Sequence, residues 1–344
     1  MFTKRFLTIL FVLFSTTIML SGCTNLLPFF QKEEPEKISN LTASAVWFDS
    51  QEIRSQTIQL IENAKEAIFI QLSALNDPEI INLLVKKSHS GVEVRILLDQ
   101  WQRDNTETVK NLKNQNVSVQ YYPAQKGQYH RVRYLVIDYR VSIFYSQDWT
   151  SKGFETHSMA IKLTGDTAWT MAKSFRNEWE YTTTLSLDLP EAVELPEDNI
   201  TYTTNAGVKQ FILRAINSAT SEILVITEQL SDPDTVQALK EAKNRGCSIQ
   251  LIISPSCAVA TPNTIKEFQN ADIEYRYFNN PDKLPIGYNI GIIDQKSLLV
   301  TNSSWTHYSF FINHESALII PSPQAIEKVK SLFEEEWQHG TLPQ

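Results

Sequence analysis

Two arginines spaced two apart, Arg131 and Arg133, with His130 immediately before them, form the stretch of this sequence best equipped for chemistry. On an extended chain, residues two apart share a face. Both guanidinium groups then point one way and His130 points the other. Guanidinium is planar, permanently charged and matches phosphate or carboxylate oxygens with paired hydrogen bonds. The pair therefore reads as a candidate anion site. The competing reading is a strand end whose arginines are solvated or paired with carboxylates. His130 could act as acid, base or nucleophile only if a bulge or a strand end turned it toward the cleft. The chain has 6 His and 3 Cys without the spacing of metal ligands, so neither metal nor cofactor is expected. His307 and His314 have no spacing that assigns them a role. Cys247 and Cys257 lie at the two ends of one strand-like run, too far apart to bridge, and are expected to be free thiols.

Positioning these groups falls to a unit that the chain uses twice. In the first copy, Gln56 to Ala64 reads as an amphipathic helix and Ala67-Ile68-Phe69-Ile70 as a strand. Asp77-Pro78 opens the next helix, Gly91 stops it, and Val92 to Leu98 is a second strand. In the second copy, Val208 to Ala219 is the helix and Glu222 to Ile226 the strand. Asp232-Pro233 opens the next helix, Gly246 stops it, and Ser248 to Ile253 follows as a strand. Asp77 to Asp232 and Gly91 to Gly246 are both spaced by 155 residues. Aspartate before proline supplies an N-cap and an N1 residue whose missing N–H is not needed, and glycine supplies the C′ stop. Downstream, Val136-Ile137-Asp138 matches Ile292-Ile293-Asp294, and Trp149-Thr150 matches Trp305-Thr306. Each copy closes on a helix with aromatics at i and i+4, Phe175 with Trp179 and Phe333 with Trp337, which reads as core. Alternating helices and strands predict an α/β layer domain for each copy. The expected bounds are 39–185 for copy one, 186–199 for a linker holding Pro190 and Pro196, and 200–340 for copy two.

Asp138-Tyr139-Arg140-Val141 with Tyr145-Ser146-Gln147-Asp148-Trp149-Thr150, and Asp294-Gln295-Lys296-Ser297 with Thr301-Asn302-Ser303-Ser304-Trp305-Thr306, keep a recognisable frame. That frame, across nearly the whole chain after its N-terminal segment, resembles the phospholipase D superfamily. The resemblance implies two α/β domains, each a mixed sheet flanked by helices, related by a pseudo-twofold axis. Each family domain carries an HxKxxxxD motif followed by Gly-Ser and often Asn-Trp-Thr. One histidine attacks phosphorus, its partner protonates the leaving oxygen, lysines neutralise phosphate charge and acids orient the histidines. Counted back from Asp138, the histidine position is Arg131 and the lysine position Arg133. Counted back from Asp294, they are Gly287 and Asn289. Both nucleophile positions and both lysines are lost. Glu315, in Asn313-His314-Glu315, matches an acidic residue that supports a motif histidine, and His157 is expected in the equivalent slot of copy one. Asp138 and Asp294 are motif residues by resemblance, and turn residues capping a strand connection by their own chemistry. Ser146, Asn302 and Ser303 could hydrogen-bond a ligand or serve the turn.

The N-terminus adds an address. Lys4 and Arg5 precede an apolar run from Phe6 to Leu20, too short to span a bilayer comfortably, as in a signal peptide. Leu20-Ser21-Gly22-Cys23 resembles the lipobox of bacterial lipoproteins, which implies residues 1–22 as an export signal and Cys23 as the lipid-bearing first residue. Residues 23–38, with a polar stretch from Gln31 to Lys37, read as a tether. Residues beyond 22 carry a net charge of −10, because the segment before them holds two of the positive charges in a total of −8. That argues against general nucleic-acid binding and against strong attraction to anionic lipid. The expected partners are the membrane, through Cys23, and a phosphate-bearing lipid or another envelope protein. Thr24, where some two-membrane bacteria place a retaining aspartate, favours the outer membrane if there is one. Two functions compete: a non-catalytic binding or scaffold module, and a phosphodiesterase that uses the shifted His130. The first is preferred because a phosphoryl transfer of this type needs a nucleophile.

Overall fold

The computed structural model describes residues 37–343, and the expectations for the export segment and for Cys23 fall outside them. Residues from Ile38 onward form one compact unit with its own cores.

Copy one runs β1 (Val46–Trp47), α1 (Ser50–Asn63), β2 (Ala67–Leu72), α2 (Pro78–His89), β3 (Glu93–Asp99), α3 (Asn105–Asn114) and β4 (Ser118–Tyr122). It continues with β5 (Tyr134–Ile137), β6 (Val141–Tyr145), β7 (Ala160–Leu163) and α4 (Asp166–Thr183). Copy two runs β8 (Thr201–Thr204), α5 (Ala206–Ser218), β9 (Glu222–Thr227), α6 (Pro233–Asn244), β10 (Ser248–Ile253), α7 (Cys257–Ala260), α8 (Pro262–Asn270) and β11 (Glu274–Tyr277). It ends with β12 (Asn289–Ile293), β13 (Ser297–Thr301), α9 (His307–Phe311), β14 (Ser316–Ile320) and α10 (Pro323–His339).

Each copy builds a seven-stranded mixed sheet, in the orders β1-β7-β6-β5-β2-β3-β4 and β11-β10-β9-β12-β13-β14-β8. β2, β3 and β4 are parallel, as are β9, β10 and β11, and the remaining pairs are antiparallel. The two folds are thus built alike. The punctuation residues act as their types suggest. Asp77 accepts hydrogen bonds from the Glu79 and Ile80 N–H groups, and Asp232 from that of Thr235. Gly91 and Gly246 adopt φ of +92° and +96°, a region that only glycine enters without strain.

Among the described residues, three apolar clusters stack through the molecule. One lies between the copy-one sheet and its outer helices and contains Ile53, Leu84 and Leu112. Its counterpart in copy two contains Ile212, Leu239 and Phe268. The middle cluster is shared: Phe69, Tyr134 and Phe175 of copy one pack with Ile226, Tyr288 and Phe333 of copy two. The closing helices α4 and α10 thus contribute the joint between the copies, which is why Phe175, Trp179 and Phe333 are buried and Trp337 is half-buried. Cys247 and Cys257 are free and buried, each with its thiol against a backbone carbonyl.

One local expectation changes. The segment holding Arg131 to Arg133 is not strand, because β5 begins only at Tyr134. Its backbone turns instead to the other copy: Arg131 N–H donates to His314 O at 2.7 Å, and His314 N–H to Tyr129 O at 2.9 Å.

Candidate functional site

That crossing has a twin. Gly287 N–H donates to His157 O at 2.7 Å, and His157 N–H to Pro285 O at 2.9 Å. Each copy thus lends the segment before its first antiparallel strand to the loop before the last strand of the other. The pairs His130–His314 and Ile286–His157 are pseudo-twofold equivalents. Between the two crossings lies a cavity of about 350 Å³, lined from copy one by Arg131, Arg133, Ser146, Gln147, Asp148 and Lys152, and from copy two by Glu228, Gly287, Asn289, Asn302, Ser303 and Asn313, among others.

The two arginines divide the roles between which the sequence leaves them poised. Arg133 is buried. Its Nε donates to Asp148 Oδ1 at 3.0 Å and its Nη1 to Asn302 O at 2.7 Å. The Asp148 carboxylate also accepts the Ser73 and Ala74 N–H groups. Arg133 is therefore a strut between the copies. Among the described residues no carboxylate lies within ion-pair distance of Arg131, whose guanidinium stacks 5.2 Å from the Tyr129 ring centroid. Gln147, 4 % exposed, has neither amide atom hydrogen-bonded, although it lines the same cavity. Arg131 and Gln147, with Lys152 nearby, are the groups with hydrogen bonds to give. The sequence reading does not single out Gln147 or Lys152. The signal for Gln147 is its place beside Ser146 in the retained frame.

Ser146 and Asn302 also line the cavity, the Ser146 hydroxyl already accepting one hydrogen bond and the Asn302 amide bonded at both ends. Met159 N–H donates to Ser146 Oγ at 2.8 Å, Asn302 Nδ2 donates to Tyr145 O at 2.7 Å, and Ser316 Oγ bonds Asn302 Oδ1. In copy two the histidine position is closed. A Cβ on Gly287 would stand 2.9 Å from His157 O, so backbone fills the space where a side chain would go. Asn289 accepts from Thr227 Oγ1 and from the Glu228 N–H.

Asp138 and Asp294, entertained as catalytic residues, sit one strand away from the cavity. Both open the turns after β5 and β12 at φ of 49° and 52°. Asp138 accepts the N–H groups of Lys65, Glu66 and Ala67, and Asp294 those of Thr220, Ser221 and Glu222. Burial works against ionisation of Asp294, but these N–H bonds win and hold its carboxyl well below the usual range. Their place is structural, tying each antiparallel hairpin to the start of the neighbouring strand.

His130, the other catalytic candidate, does not line the cavity. It is fully buried, with its ring 4.6 Å from that of Tyr122 and 5.1 Å from that of His314. Neither ring nitrogen has a hydrogen-bond partner. Burial first, then His314 and Arg133, pushes its pKa well below 6.5. The ring thus sits among other rings and is not among the groups that line the cavity. Its pseudo-twofold mate is Ile286, so His130→Ile is a substitution the fold already accommodates once. Removing two unpartnered buried nitrogens should raise stability by about 1–3 kcal/mol in urea titrations at pH 7. The wild type should also lose stability as pH falls below 6.5, because the unfolded imidazole takes up a proton that the folded one refuses. The variant should lose this dependence.

Glu315 is 2 % exposed and accepts from Asn313 Nδ2 at 3.1 Å. Burial pushes its carboxyl up to about 7, against hydrogen bonds from Ser303 and Asn313 and the charges of Arg131 and Arg133. Its copy-one equivalent is not His157. Tyr145 pairs with Ala160 and Thr301 with Ala317, so the slot matching Glu315 belongs to Ser158. His157 instead matches His314. Its Nε2 lies 3.0 Å from Asp282 and its Nδ1 3.6 Å from Glu336, while His314 Nε2 lies 3.3 Å from Glu178. The one-residue difference between the two loops hides this from the sequence.

The family described as "Cardiolipin synthase, PLD-like domain" matches residues 57–180 and 212–337, one copy each. No curated protein matches the chain. Among solved structures, phosphatidylserine synthase of Haemophilus influenzae Rd KW20 is similar at a TM-score of 0.67 and 14% identity, with 88% of each chain covered. Polyphosphate kinase of Porphyromonas gingivalis is similar at a TM-score of 0.61 and 13% identity, over 82% of this chain and 45% of that one. At these identities the likeness is one of fold.

Proposed function

Because this chain belongs to that PLD-like family, with two copies of its domain, we propose that it is a non-catalytic member that binds a phosphate-bearing ligand between its copies at a bacterial membrane surface. The observation that carries this reading is the cavity itself. Its two motif-histidine positions are Arg131 and Gly287, and among the described residues no histidine or cysteine lines it. Serine hydroxyls are there, but no imidazole stands ready to take their protons. What remains is a cation with no carboxylate within ion-pair distance among the described residues, Arg131, beside the unpartnered amide of Gln147. Such groups suit a phosphate oxygen. The anchor is Cys23, lipidated after removal of residues 1–22, with the outer membrane favoured in a two-membrane cell. No helix of the described residues is long and apolar enough to cross a membrane.

The rival reading, a phosphodiesterase, draws on the family's description. It requires a nucleophile, and the burial of His130 works against the residue nominated for that part. Calorimetric titration of residues 38–344 with inorganic phosphate and glycerol phosphate tests the binding reading. Arg131→Ala should weaken binding about tenfold or more, the loss expected for one charge-assisted hydrogen-bonding group. It should leave the urea midpoint unchanged. Equal binding by both forms would remove the anion site. Turnover of a chromogenic phosphodiester that survives purification and falls with a cavity substitution would replace the proposal with the enzyme. Incorporation of labelled palmitate by the full chain but not by Cys23→Ser tests the anchor.

A further inference from the structure

Helix α9 is apolar on the wrong side for a globular protein. Ser309 and Phe310 face inward, while Tyr308, Phe311 and Ile312 are 45, 59 and 39 % exposed. These positions are i, i+3 and i+4, so they form one contiguous face of the turn. That face stands on the rim of the cavity, because Ser309 and Asn313 of the same segment line it. The strip continues onto the 125–127 loop. Tyr308 donates its hydroxyl to Gly127 O, and Trp101, 43 % exposed, donates Nε1 to Gln125 O in the same loop at 3.0 Å. Exposed Lys126 lies between them.

The fold does not require this face. In copy one the equivalent segment is a single turn, Gly153–Glu155, whose Phe154 packs against the core instead. Nor does Phe311 fill a structural gap. It lies under Lys209, 4.5 Å from the ring centroid, but Lys209 is held independently by Asp232 and Asp234. Aromatic and aliphatic side chains with an interspersed lysine, beside a cavity offering Arg131, match a phospholipid surface. Acyl chains take the apolar groups, while phosphates complement the cations.

We propose that α9, with Trp101 beyond the 125–127 loop, inserts into the interface of a phospholipid bilayer and brings the cavity close to a lipid phosphate. This rests on the reading of the cavity as a phosphate site and gives that ligand a source. Ile38 lies fifteen residues after Cys23. At about 3.3–3.6 Å per residue that stretch reaches at most about 54 Å, which is compatible with an anchor at Cys23 and the face meeting the same membrane. An overall negative charge does not prevent this, because the insertion is mainly apolar.

The test uses residues 38–344, which lack the anchor and form a compact unit. Their partition onto vesicles of phosphatidylethanolamine with phosphatidylglycerol is measured by co-sedimentation. Wild type is expected to bind, and Phe311→Gln combined with Ile312→Gln to bind about tenfold less or weaker, with an unchanged circular dichroism spectrum. Titration with inorganic phosphate should not distinguish the two forms. Trp101→Gln, beyond the 125–127 loop, gives an independent second loss. Equal partition by wild type and the double variant, or no partition by wild type, overturns the proposal. So does a wild-type dimer that the double variant converts to a monomer without any vesicle binding, which would assign the face to a second copy. If phosphate fails to bind while vesicle partition still depends on Phe311 and Ile312, the cavity reading falls and the membrane face stands.

Discussion

Replacing Arg133 with alanine is expected to lower the unfolding free energy by about 3–5 kcal/mol, the range for removing one partner of a buried ion pair. The side chains of Arg133 and Asp148 are 7 and 17 % exposed and meet at 3.0 Å. Without the guanidinium, Asp148 keeps the Ser73 and Ala74 N–H bonds but loses its cation, and the Asn302 carbonyl loses its donor. Two acceptors, the half-buried Asp148 carboxylate and the buried Asn302 carbonyl, are left short in one step, and the link from copy one to copy two goes with them. Arg133→Lys should recover only part of the loss, since an ammonium lacks the planar fork that reaches both acceptors. Adding Asp148→Asn to Arg133→Ala should cost less than the sum of the two single changes, because the second removes the charge that the first strands. Urea titration measures all four forms. A loss below about 1 kcal/mol for Arg133→Ala, the range of an exposed pair, would show that water reaches this carboxylate. The strut reading would then fail. Arg131→Ala, two residues away, is expected to change stability little and anion affinity greatly.

That contrast marks the limit of what the sequence makes legible. Asp77-Pro78 with Gly91 and Asp232-Pro233 with Gly246 announce the repeat because capping is local chemistry, set by a residue and its immediate neighbours. Strands such as Ile68–Ile70 and Ile223–Ile226 declare themselves by continuous apolar runs, as strands buried on both faces do. Arg131 and Arg133 look equivalent in sequence. They differ because Asp148 and Asn302, which claim Arg133, arrive from 15 and 169 residues away. The segment before β5 reads as strand because its pattern alternates. It leaves the sheet because the other copy offers it a partner, which no local pattern encodes. Motif counting puts His157 in the slot opposite Glu315, and the strand register moves that slot to Ser158. The retained frame is thus a record of turns and hairpins, in which Asp138 and Asp294 still serve. The cavity chemistry has to be read from contacts that form only when both copies are folded together.

Glu315 shows what those contacts do to one carboxyl, and Glu315→Gln should have the second large effect. The unfolded group has its ordinary value of 4.5, and burial in the folded protein pushes it up to about 7. Between these values the folded protein keeps a proton that the unfolded chain releases. Stability from this group is therefore complete below pH 4.5, falls as pH rises, and is lost above about 7. A shift of this size corresponds to about 3 kcal/mol. A glutamine amide cannot ionise, so the Glu315→Gln variant should match wild type near pH 4 and exceed it by about that amount at pH 8. His130 works in the opposite direction, losing stability as pH falls below 6.5. Over the acid range the two oppose each other in wild type, and the His130→Ile background should expose the Glu315 slope. The same ionisation places a negative charge near Arg131 at alkaline pH. At pH 8 phosphate should then bind more weakly to wild type than to the glutamine variant, whereas at pH 5 the two should bind it alike. Stability profiles that stay parallel for wild type and Glu315→Gln from pH 4 to 8 would mean that the carboxyl ionises freely. The buried acid beneath the anion site would then have no influence on the site.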